Sequence, residues 1–363
     1  MKLKLFLTTT ILISFQLLFS FHLQSQSKLL INSIEYDVPI FNELSYDISY
    51  GKEYSDWWDR NIETSRRSSF QKAIIEKATK GEIKVYNDEG NILTLKDINQ
   101  ILSSKDTVKY QRTSVPFDIY DTIITARLYT GDIQYLRFKE QWYFDTNTFK
   151  ISKQISEYAP VWVECNHDNK KTGKSKALYW IKYNKSSQKN FKPLTDLIGY
   201  CISLDNDTVL PNFIKFKSIS DDTLLLSQYF YSLINNAENG KIKIYEYSEI
   251  ENFFNYNIDS AKALLQNEVY LKFNFTDSVQ LQKQEPPYYF YDSLILTKLD
   301  TCKILGLKFL ERWFIDEKTL EINKEILGFV PYFIRYDYKE RYLKKEEMFY
   351  YSFAKPFRYF ELK

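Results

Sequence analysis

Apolar residues recur with a helical period in two separate stretches of the chain, and each stretch ends at a glycine. They are Phe70, Ile74 and Ala78 in the first stretch and Tyr229, Leu233 and Ala237 in the second. A spacing of four residues places such side chains on one face of a helix. Gly81 and Gly240 follow at the position where a helix commonly ends in the left-handed conformation. The pattern predicts the same unit, a helix with a glycine stop, twice.

Shorter patterns follow each glycine. The residues from Ile83 to Tyr86 and from Ile242 to Tyr245 alternate between apolar and polar, which is typical of a strand with one buried face. A second short helix is predicted near residues 95–102 and near residues 258–265. Each unit therefore reads helix, glycine, strand, helix.

A tryptophan-centred strand recurs further along the chain. Trp142-Tyr-Phe-Asp145 is matched by Trp313-Phe-Ile-Asp316. Alternation places Trp142 and Phe144 on one face of this strand. Asp145 and Asp316 end it, because aspartate side chains bond their own backbone in turns.

Alternation resumes after the turn and predicts a hairpin. Phe149, Ile151 and Ile155 occupy alternate positions in the first copy. Pro160 and Pro331 are predicted to close the two returning strands, because proline cannot donate to a ladder.

These matches keep a nearly constant register. The offset is 159 between Gly81 and Gly240 (240 − 81) and 171 between Trp142 and Trp313 (313 − 142). Such a repeat predicts an α+β fold of two tandem modules, residues 28–195 and 196–363, each with short helices packed on an antiparallel sheet of hairpins. The signature residues, taken as structural, are Gly81, Trp142, Phe144, Asp145 and Pro160 in the first module and Gly240, Trp313, Asp316 and Pro331 in the second.

The first 27 residues have the layout of a signal peptide. Lys2 and Lys4 precede an uncharged apolar run from Leu5 to Phe21, and small residues follow at Ser25 and Ser27. An uncleaved membrane anchor is the alternative, although the run is short for a span. We therefore expect a mature chain that lies beyond the inner membrane and is soluble or peripherally attached.

Composition narrows the class of protein. Hydrophobic residues make up 44% of the chain, which excludes global disorder, and the net charge of +2 gives no case for nucleic-acid binding. The 30 tyrosines and 27 phenylalanines suit packed sheets and an adhesive surface. Three cysteines, Cys165, Cys201 and Cys302, leave open a disulfide between the first two, or simply buried thiols.

Candidate chemistry is sparse. Beyond His22 in the predicted signal segment, the one histidine is His167, which lies beside Cys165 and Asp168. Residues so close along a loop rarely converge on one substrate atom, because catalytic triads are assembled from distant parts of a chain. Neither a zinc-ligand spacing nor a phosphate loop is present, so no cofactor or metal is predicted.

Two glutamates and one aromatic run offer the remaining alternatives. Glu140 and Glu311 are duplicated carboxylates that could serve as an acid/base pair, but a structural role with a cationic partner is favoured. The run from Tyr288 to Tyr291 follows Pro286 and Pro287. It is interpreted first as core packing, with an exposed binding edge as the alternative.

The ordered set of motifs resembles the gliding-motility family GldN, called PorN in non-gliding species. In the first half the resemblance rests on Arg66-Arg67-Ser68, Lys80-Gly81-Glu82-Ile83, Leu95-Lys96-Asp97-Ile98, Trp142-Tyr143-Phe144-Asp145, Ala159-Pro160-Val161 and Leu178-Tyr179-Trp180. The second half is similar to the same family through Asn239-Gly240-Lys241-Ile242 and through Trp313 to Asp316.

The resemblance implies a location and a role. Members of that family are periplasmic components of the type IX secretion system of Bacteroidetes. They form a ring with a partner lipoprotein beneath the outer membrane and are not enzymes. The sequence hypothesis is therefore a non-enzymatic assembly component that acts through protein–protein contacts and forms a homo-oligomer. The alternatives are a glycan- or peptide-binding module and a hydrolase built on Glu140 and Glu311.

Overall fold

The structure is a computed structural model with side chains. It describes residues 27–40, 61–128, 130–165, 171–183, 189–204, 214–219, 223–246, 263–298, 304–336, 342–347 and 351–352. The predicted signal segment up to residue 26, His167, Asp168 and Cys302 lie outside these residues, as does the side chain of Cys165.

Helices occur in two groups along the chain, each followed by a run of strands. The helices in the described residues are α1 (Thr64–Thr79), α2 (Leu95–Ile101), α3 (Thr223–Glu238) and α4 (Gln266–Phe273). The strands of the first half are β1 (Ser27–Pro39), β2 (Ser103–Gln111), β3 (Ile119–Arg127), β4 (Ile133–Asp145), β5 (Ile151–Cys165), β6 (Lys171–Ala177) and β7 (Ile181–Lys182). Those of the second half are β8 (Phe191–Ser203), β9 (Ile214–Ile219), β10 (Asn274–Gln282), β11 (Phe290–Lys298), β12 (Ile304–Asp316), β13 (Ile322–Tyr336), β14 (Tyr342–Glu347) and β15 (Tyr351–Ser352). The predicted α+β class with antiparallel sheets is confirmed.

The two long helices end in the same way. Gly81 and Gly240 have φ values of 70° and 68°, which only glycine adopts at little cost. The amide of Gly81 bonds the carbonyl of Ala78, and the amide of Glu82 bonds that of Lys77. These two hydrogen bonds satisfy carbonyl groups that would otherwise have no partner at the end of the helix. Gly240 and Lys241 repeat the pattern at the end of α3.

One local expectation after these glycines is wrong. Residues 83–86 and 242–245 form isolated bridges at Tyr86 and Tyr245 instead of strands. The short helix predicted near residues 258–265 lies mostly outside the described residues; residues 263–265 are not helical, and the helix described next, α4, begins at Gln266. The offset from α2 is already 171 at this helix (266 − 95), so the extra residues precede α4.

Strands from both halves form one 11-stranded sheet in the order β14-β13-β12-β8-β9-β1-β4-β5-β6, with β15 beside β13 and β7 beside β5. Its pairs are antiparallel except for β8 with β9. The boundary predicted at residues 195 and 196 falls inside β8. Division into two modules stays a prediction, since the described strands of both halves share this sheet.

The long hairpins β4–β5 and β12–β13 carry a bulge at the same place. Register shifts occur between Lys139 and Glu140 and between Leu310 and Glu311. A bulge adds a residue to one strand and locally re-aims side chains. Both shifts thus immediately precede the duplicated glutamates.

The prediction that Pro160 and Pro331 end their strands is wrong, because β5 and β13 run through them. Each proline lies where one short outer strand has ended and the next has not begun: β6 and β7 beside β5, and β14 and β15 beside β13. The carbonyl of Pro160 accepts from Leu178, so its nitrogen also faces this outer side. The absence of an N–H at Pro160 therefore removes no hydrogen bond between β5 and β4.

The core lies between the two hairpins, which pack face to face. Phe138 and Trp313 make an edge contact with ring centroids 5.3 Å apart, and Trp142 and Phe309 make another at 5.1 Å. All four side chains are fully buried. The two halves therefore bury their apolar faces against each other and not in separate cores.

Hydrogen bonds interlock the halves further. Tyr158 donates to the carbonyl of Leu320 at 2.7 Å. Tyr351, in the opposite direction, donates to the carbonyl of Thr148 at 2.6 Å. Tyr229 on α3 donates to the carbonyl of Phe149 at 2.8 Å. Tyrosine side chains of each half therefore bond the backbone of a hairpin turn in the other half.

Two hairpins stand apart from the large sheet. Strands β2 and β3 form one two-stranded ribbon and β10 and β11 form another. They directly follow α2 and α4 and occupy equivalent positions, since 274 − 103 equals 171. We name them ribbon 1, residues 103–127, and ribbon 2, residues 274–298.

Candidate functional site

The duplicated glutamate of the first half lies at the centre of the core. Lys324 Nζ is 2.6 Å from Glu140 Oε1, and both side chains are 0% exposed. Glu140 Oε2 accepts from the Tyr36 hydroxyl at 2.7 Å and from Trp142 Nε1 at 3.0 Å. Glu140 on β4 is therefore neutralised by a lysine of the other half, on β13.

Glu311 has the reciprocal arrangement. Lys153 Nζ on β5 is 2.7 Å from Glu311 Oε1, again with both side chains 0% exposed. Trp313 Nε1 donates to Glu311 Oε2 at 2.7 Å. Each tryptophan therefore supports the glutamate two residues before it, and each lysine crosses to the opposite half.

Two tyrosines join these ion pairs into one cluster. The hydroxyls of Tyr36 and Tyr200 are 3.3 Å apart. Lys153 Nζ donates to Tyr200 at 2.9 Å. We name the set of Tyr36, Glu140, Trp142, Lys153, Tyr200, Glu311, Trp313 and Lys324 the buried charge cluster.

Aromatic faces cover the two ammonium groups. Lys153 Nζ lies 3.4 Å from the ring centroid of Phe309, and Lys324 Nζ lies 3.3 Å from that of Phe138. A cation over a ring face is attracted by the ring quadrupole, most strongly where water is excluded. The rings thus replace part of the hydration that burial removes.

Burial and neighbouring charges shift the pKa values in this cluster. Burial acts to raise the pKa of Glu140, but Lys324 and Lys153 outweigh it, and the pKa is lowered. Burial lowers the pKa of Lys153 to about 8 against the opposing attraction of Glu311 and Glu140. Burial and the charge of Glu140 raise the pKa of the Tyr36 hydroxyl. Glu140 therefore stays ionised at neutral pH, opposite Lys324.

This geometry favours a structural role for the duplicated glutamates. Both oxygens of each carboxylate are engaged, and the side chains are sealed from solvent. A general acid or base must lie within hydrogen-bond reach of a substrate. A substrate would have to displace lysine and tryptophan from a closed core to reach Glu140 or Glu311.

The two signature aspartates lie at hairpin turns. Asp145 Oδ1 accepts from the amides of Asn147 and Thr148 at 3.0 and 2.7 Å. Asp316 Oδ1 accepts from the amides of Lys318 and Thr319, each at 2.9 Å. Asp316 Oδ2 also accepts from the amide of Asn190 at 2.7 Å. These bonds organise the turns that the opposite half covers.

Ribbon 2 corrects the interpretation of the aromatic run. Residues 288–291 are exposed, with Phe290 at 60%, so core packing is wrong for them. Tyr288 and Tyr289 lie in the turn and Phe290 and Tyr291 begin β11. The run is an apolar surface at the end of a projecting hairpin.

Ribbon 1 carries an equivalent surface that the sequence analysis missed. Val115, Phe117 and Ile119 are exposed, Ile119 at 67%. The Val115–Pro116 bond is cis, as is the Pro286–Pro287 bond of ribbon 2. The signal for it was the offset of 171, which aligns Pro116 with Pro287.

The remaining candidate residues add no catalytic or metal-binding group within the described residues. His167 and Asp168 lie outside the described residues, and Cys201 lies half-buried in β8. In the part of the chain that the structure describes, no group of three or more His, Cys, Asp or Glu side chains could hold a metal ion. Within the same residues, no helix is long and apolar enough to cross a membrane.

Comparison with known proteins supports the resemblance drawn from the motifs. Residues 45–209 match the family model described as gliding motility associated protein GldN. This chain resembles the GldN family over that range. No curated protein matches the chain.

The GldN match associates the chain with gliding motility and type IX secretion. It covers α1, α2, β2 to β8 and the first-half signature residues from Gly81 to Pro160. Gly240, Trp313, Asp316 and Pro331 lie beyond it, so duplication of the GldN motif set stays a prediction.

Proposed function

We propose that this chain is exported and acts in the periplasm as a non-enzymatic structural component of the type IX secretion or gliding machinery. In this proposal the interlocked body is a rigid scaffold and the two ribbons contact partner proteins. The observation that carries it is the exposure of Ile119, Phe290 and their neighbours on hairpins outside the main sheet. Contiguous exposed apolar surface in a folded protein marks an interaction site.

The non-enzymatic part of the proposal rests on the buried charge cluster. Its ionisable groups are saturated with internal partners and face away from solvent. The duplicated carboxylates thereby serve the contact between the halves. The GldN resemblance points the same way.

We further propose that the chain carries one GldN-like unit twice, in the intervals 28–195 and 196–363. Equivalent strands have equal lengths, 13 residues for β4 and β12 and 15 for β5 and β13. The positive φ values at Phe149 and Leu320 also recur at an offset of 171 (320 − 149). These correspondences support a repeat whose two units fold into each other.

The partners in this proposal are other secretion-system proteins, with an outer-membrane lipoprotein ring partner and further copies of the chain suggested by the resemblance. Membrane contact would be at most peripheral, through those partners.

Complementation tests the proposal. A strain lacking the chain is complemented with the wild type or with a ribbon variant, Phe117→Asn, Ile119→Thr, Tyr289→Ser and Phe290→Thr. We expect the variant to accumulate normally in the periplasm but to lose export of type IX cargo. A control with Ile92→Thr and Leu225→Gln, which are exposed outside the ribbons, should export as the wild type does. Normal cargo export by the ribbon variant would contradict the proposal.

Exposed tyrosines support a second candidate, a glycan- or peptide-binding module. Tyr289 and Tyr291 form an edge contact with centroids 6.4 Å apart at the surface. Aromatic side chains of this kind can stack on sugars or peptides. A glycan array probed with the full chain separates the cases, since saturable binding lost in Tyr289→Ser would favour this candidate.

A further inference from the structure

The two ribbons differ from the long strand pairs of the main sheet in their regularity. All nine residue pairs of β2 with β3, and all nine of β10 with β11, stay in register. The long pairs of the main sheet, β1–β4, β4–β5, β12–β13 and β8–β12, each contain a register shift. At roughly 3.4 Å per residue each ribbon is an arm of about 30 Å.

Two backbone hydrogen bonds at the ends of ribbon 1 show which of its backbone groups face outward. Arg112 N bonds Asp118 O, and Leu128 N bonds Leu102 O. Bonded pairs alternate with pairs whose N–H and C=O groups point away from the partner strand. Even-numbered residues of β2 therefore bond β3, whereas Lys109 and Asp121 direct their N–H groups to the outer edges.

Ribbon 2 has the same alternation of bonded and outward-facing residues. Lys283 N bonds Tyr289 O, so Gln280 and Asp292 direct their N–H groups outward. In the residues that the structure describes, no strand pairs with the outer edge of either ribbon. Long, regular edges of this kind are templates for another strand, which is why proteins usually shorten, bend or cover them.

Charge and area indicate what would cover these edges. The exposed end of ribbon 1 has Lys109 and Arg112 against Asp118 and Asp121, a balanced set. Such a surface offers no attraction to anionic lipid. At strand spacings near 4.8 Å, one ribbon face spans only about 300 Å², below the roughly 800 Å² that each partner buries in a standard interface. One ribbon face is therefore too small to hold a partner by side-chain contact alone. Backbone pairing along both ribbons would enlarge the interface.

We propose that the ribbons are strand-addition arms: an extended, largely uncharged segment of a partner protein pairs with the outer edge of β3 and, in ribbon 2, of β11. These edges are chosen because the strand residues with the most exposed large apolar side chains, Ile119, Phe290 and Leu294, lie on β3 and β11. Main-chain bonds would supply affinity, and exposed Ile119 and Phe290 would select apolar side chains at alternate positions. This inference rests on the proposed function and adds that the partner segment binds as an extended strand.

Proline at an outward-facing position tests the inference, because it removes an edge N–H without breaking a bond within the ribbon. The variant is Asp121→Pro with Asp292→Pro. Its matched control, Asp121→Ala with Asp292→Ala, makes the same side-chain loss and keeps both N–H groups. A second control, Lys109→Pro with Gln280→Pro, places proline on the opposite edges.

The readout is photo-crosslinking in cells, with a benzophenone amino acid at Ile119 of the full chain. We expect the Asp→Pro pair to lower crosslink yield on the order of tenfold, since each proline removes a backbone bond, while both controls stay within about twofold. Moving the crosslinker to residue 121 in the otherwise wild-type chain should shift the crosslinked partner residue by two positions.

Three outcomes would overturn strand addition: equal loss in the alanine control, equal loss with proline on the opposite edges, or no regular shift of the partner residue. Thermal unfolding of each purified variant shows whether the body remains folded. None of these outcomes decides the proposed function, which fails separately if the ribbon surface variant exports cargo normally.

Discussion

Lys324 and Glu140 lie 184 positions apart in the sequence, yet Lys324 Nζ is 2.6 Å from Glu140 Oε1 in a fully buried contact between the two halves. Lys153 and Glu311 make the reciprocal contact. Because each buried ion pair joins one half to the other, the core is shared between the halves.

Removing one partner of this pair should be costly. Lys324→Met leaves the Glu140 carboxylate buried without its cation, and we expect a loss of about 3–5 kcal/mol in the free energy of unfolding. Urea-induced unfolding monitored by tryptophan fluorescence measures it.

Two controls accompany that variant. Adding Glu140→Gln should restore at least half of the loss, because the amide is uncharged and its oxygen still accepts from Tyr36 and Trp142. Lys192→Met breaks the exposed pair with Glu317, 56% and 63% exposed, and should cost less than about 1 kcal/mol. A Lys324→Met effect as small as that of Lys192→Met would show that the buried pair is not required.

The two halves should unfold together. Their apolar faces meet at Phe138–Trp313 and Trp142–Phe309, so neither hairpin keeps its core when the other opens. Hydrogen exchange under increasing denaturant should show amides of β5 and β13 losing protection at one shared concentration. Persistence of protection in one half after the other has exchanged would indicate separate modules.

Acid should destabilise the fold through the buried glutamate. The pKa of Glu140 is lowered from its ordinary value of 4.5, so its contribution to stability is fully present above pH 4.5. That contribution is lost as the pH falls through the lower folded-state pKa. Stability measured from pH 7 to 3 should fall below about pH 4.5, and less steeply in Glu140→Gln. An identical slope in that variant would assign the acid sensitivity to other carboxyl groups.

The two turn aspartates should differ in cost. Asp316 is 3% exposed and also binds the amide of Asn190, whereas Asp145 is half-buried. We expect Asp316→Ala to cost roughly 2–4 kcal/mol and Asp145→Ala roughly 1–2, since buried amides lose their acceptors. Thermal unfolding of both variants measures the difference. Equal costs would mean that the bond to Asn190 adds nothing.

Local features of this fold follow from the sequence. The helix stops at Gly81 and Gly240 need a left-handed residue, and the hairpins after Trp142 and Trp313 join neighbours in sequence. Short-range patterns of this kind carry their own physical cause.

Long-range features do not follow from it. That Lys324 neutralises Glu140, and not a nearer carboxylate, depends on how the hairpins stack. That β5 continues through Pro160 depends on a gap between β6 and β7. Ribbon 1 was missed because its apolar tip is short and interrupted by polar residues, so it lacks a sustained period.

The most direct test of the central claim, that the ribbons hold partner proteins, is quantitative co-purification from native envelopes. Tagged full-length chain is compared with the ribbon variant Phe117→Asn, Ile119→Thr, Tyr289→Ser and Phe290→Thr. Exposed substitutions change stability by about 0.5 kcal/mol or less, so the body should stay folded. We predict that type IX secretion proteins recovered with the wild type fall at least tenfold with the variant. Equal recovery of those proteins with both chains would contradict the account.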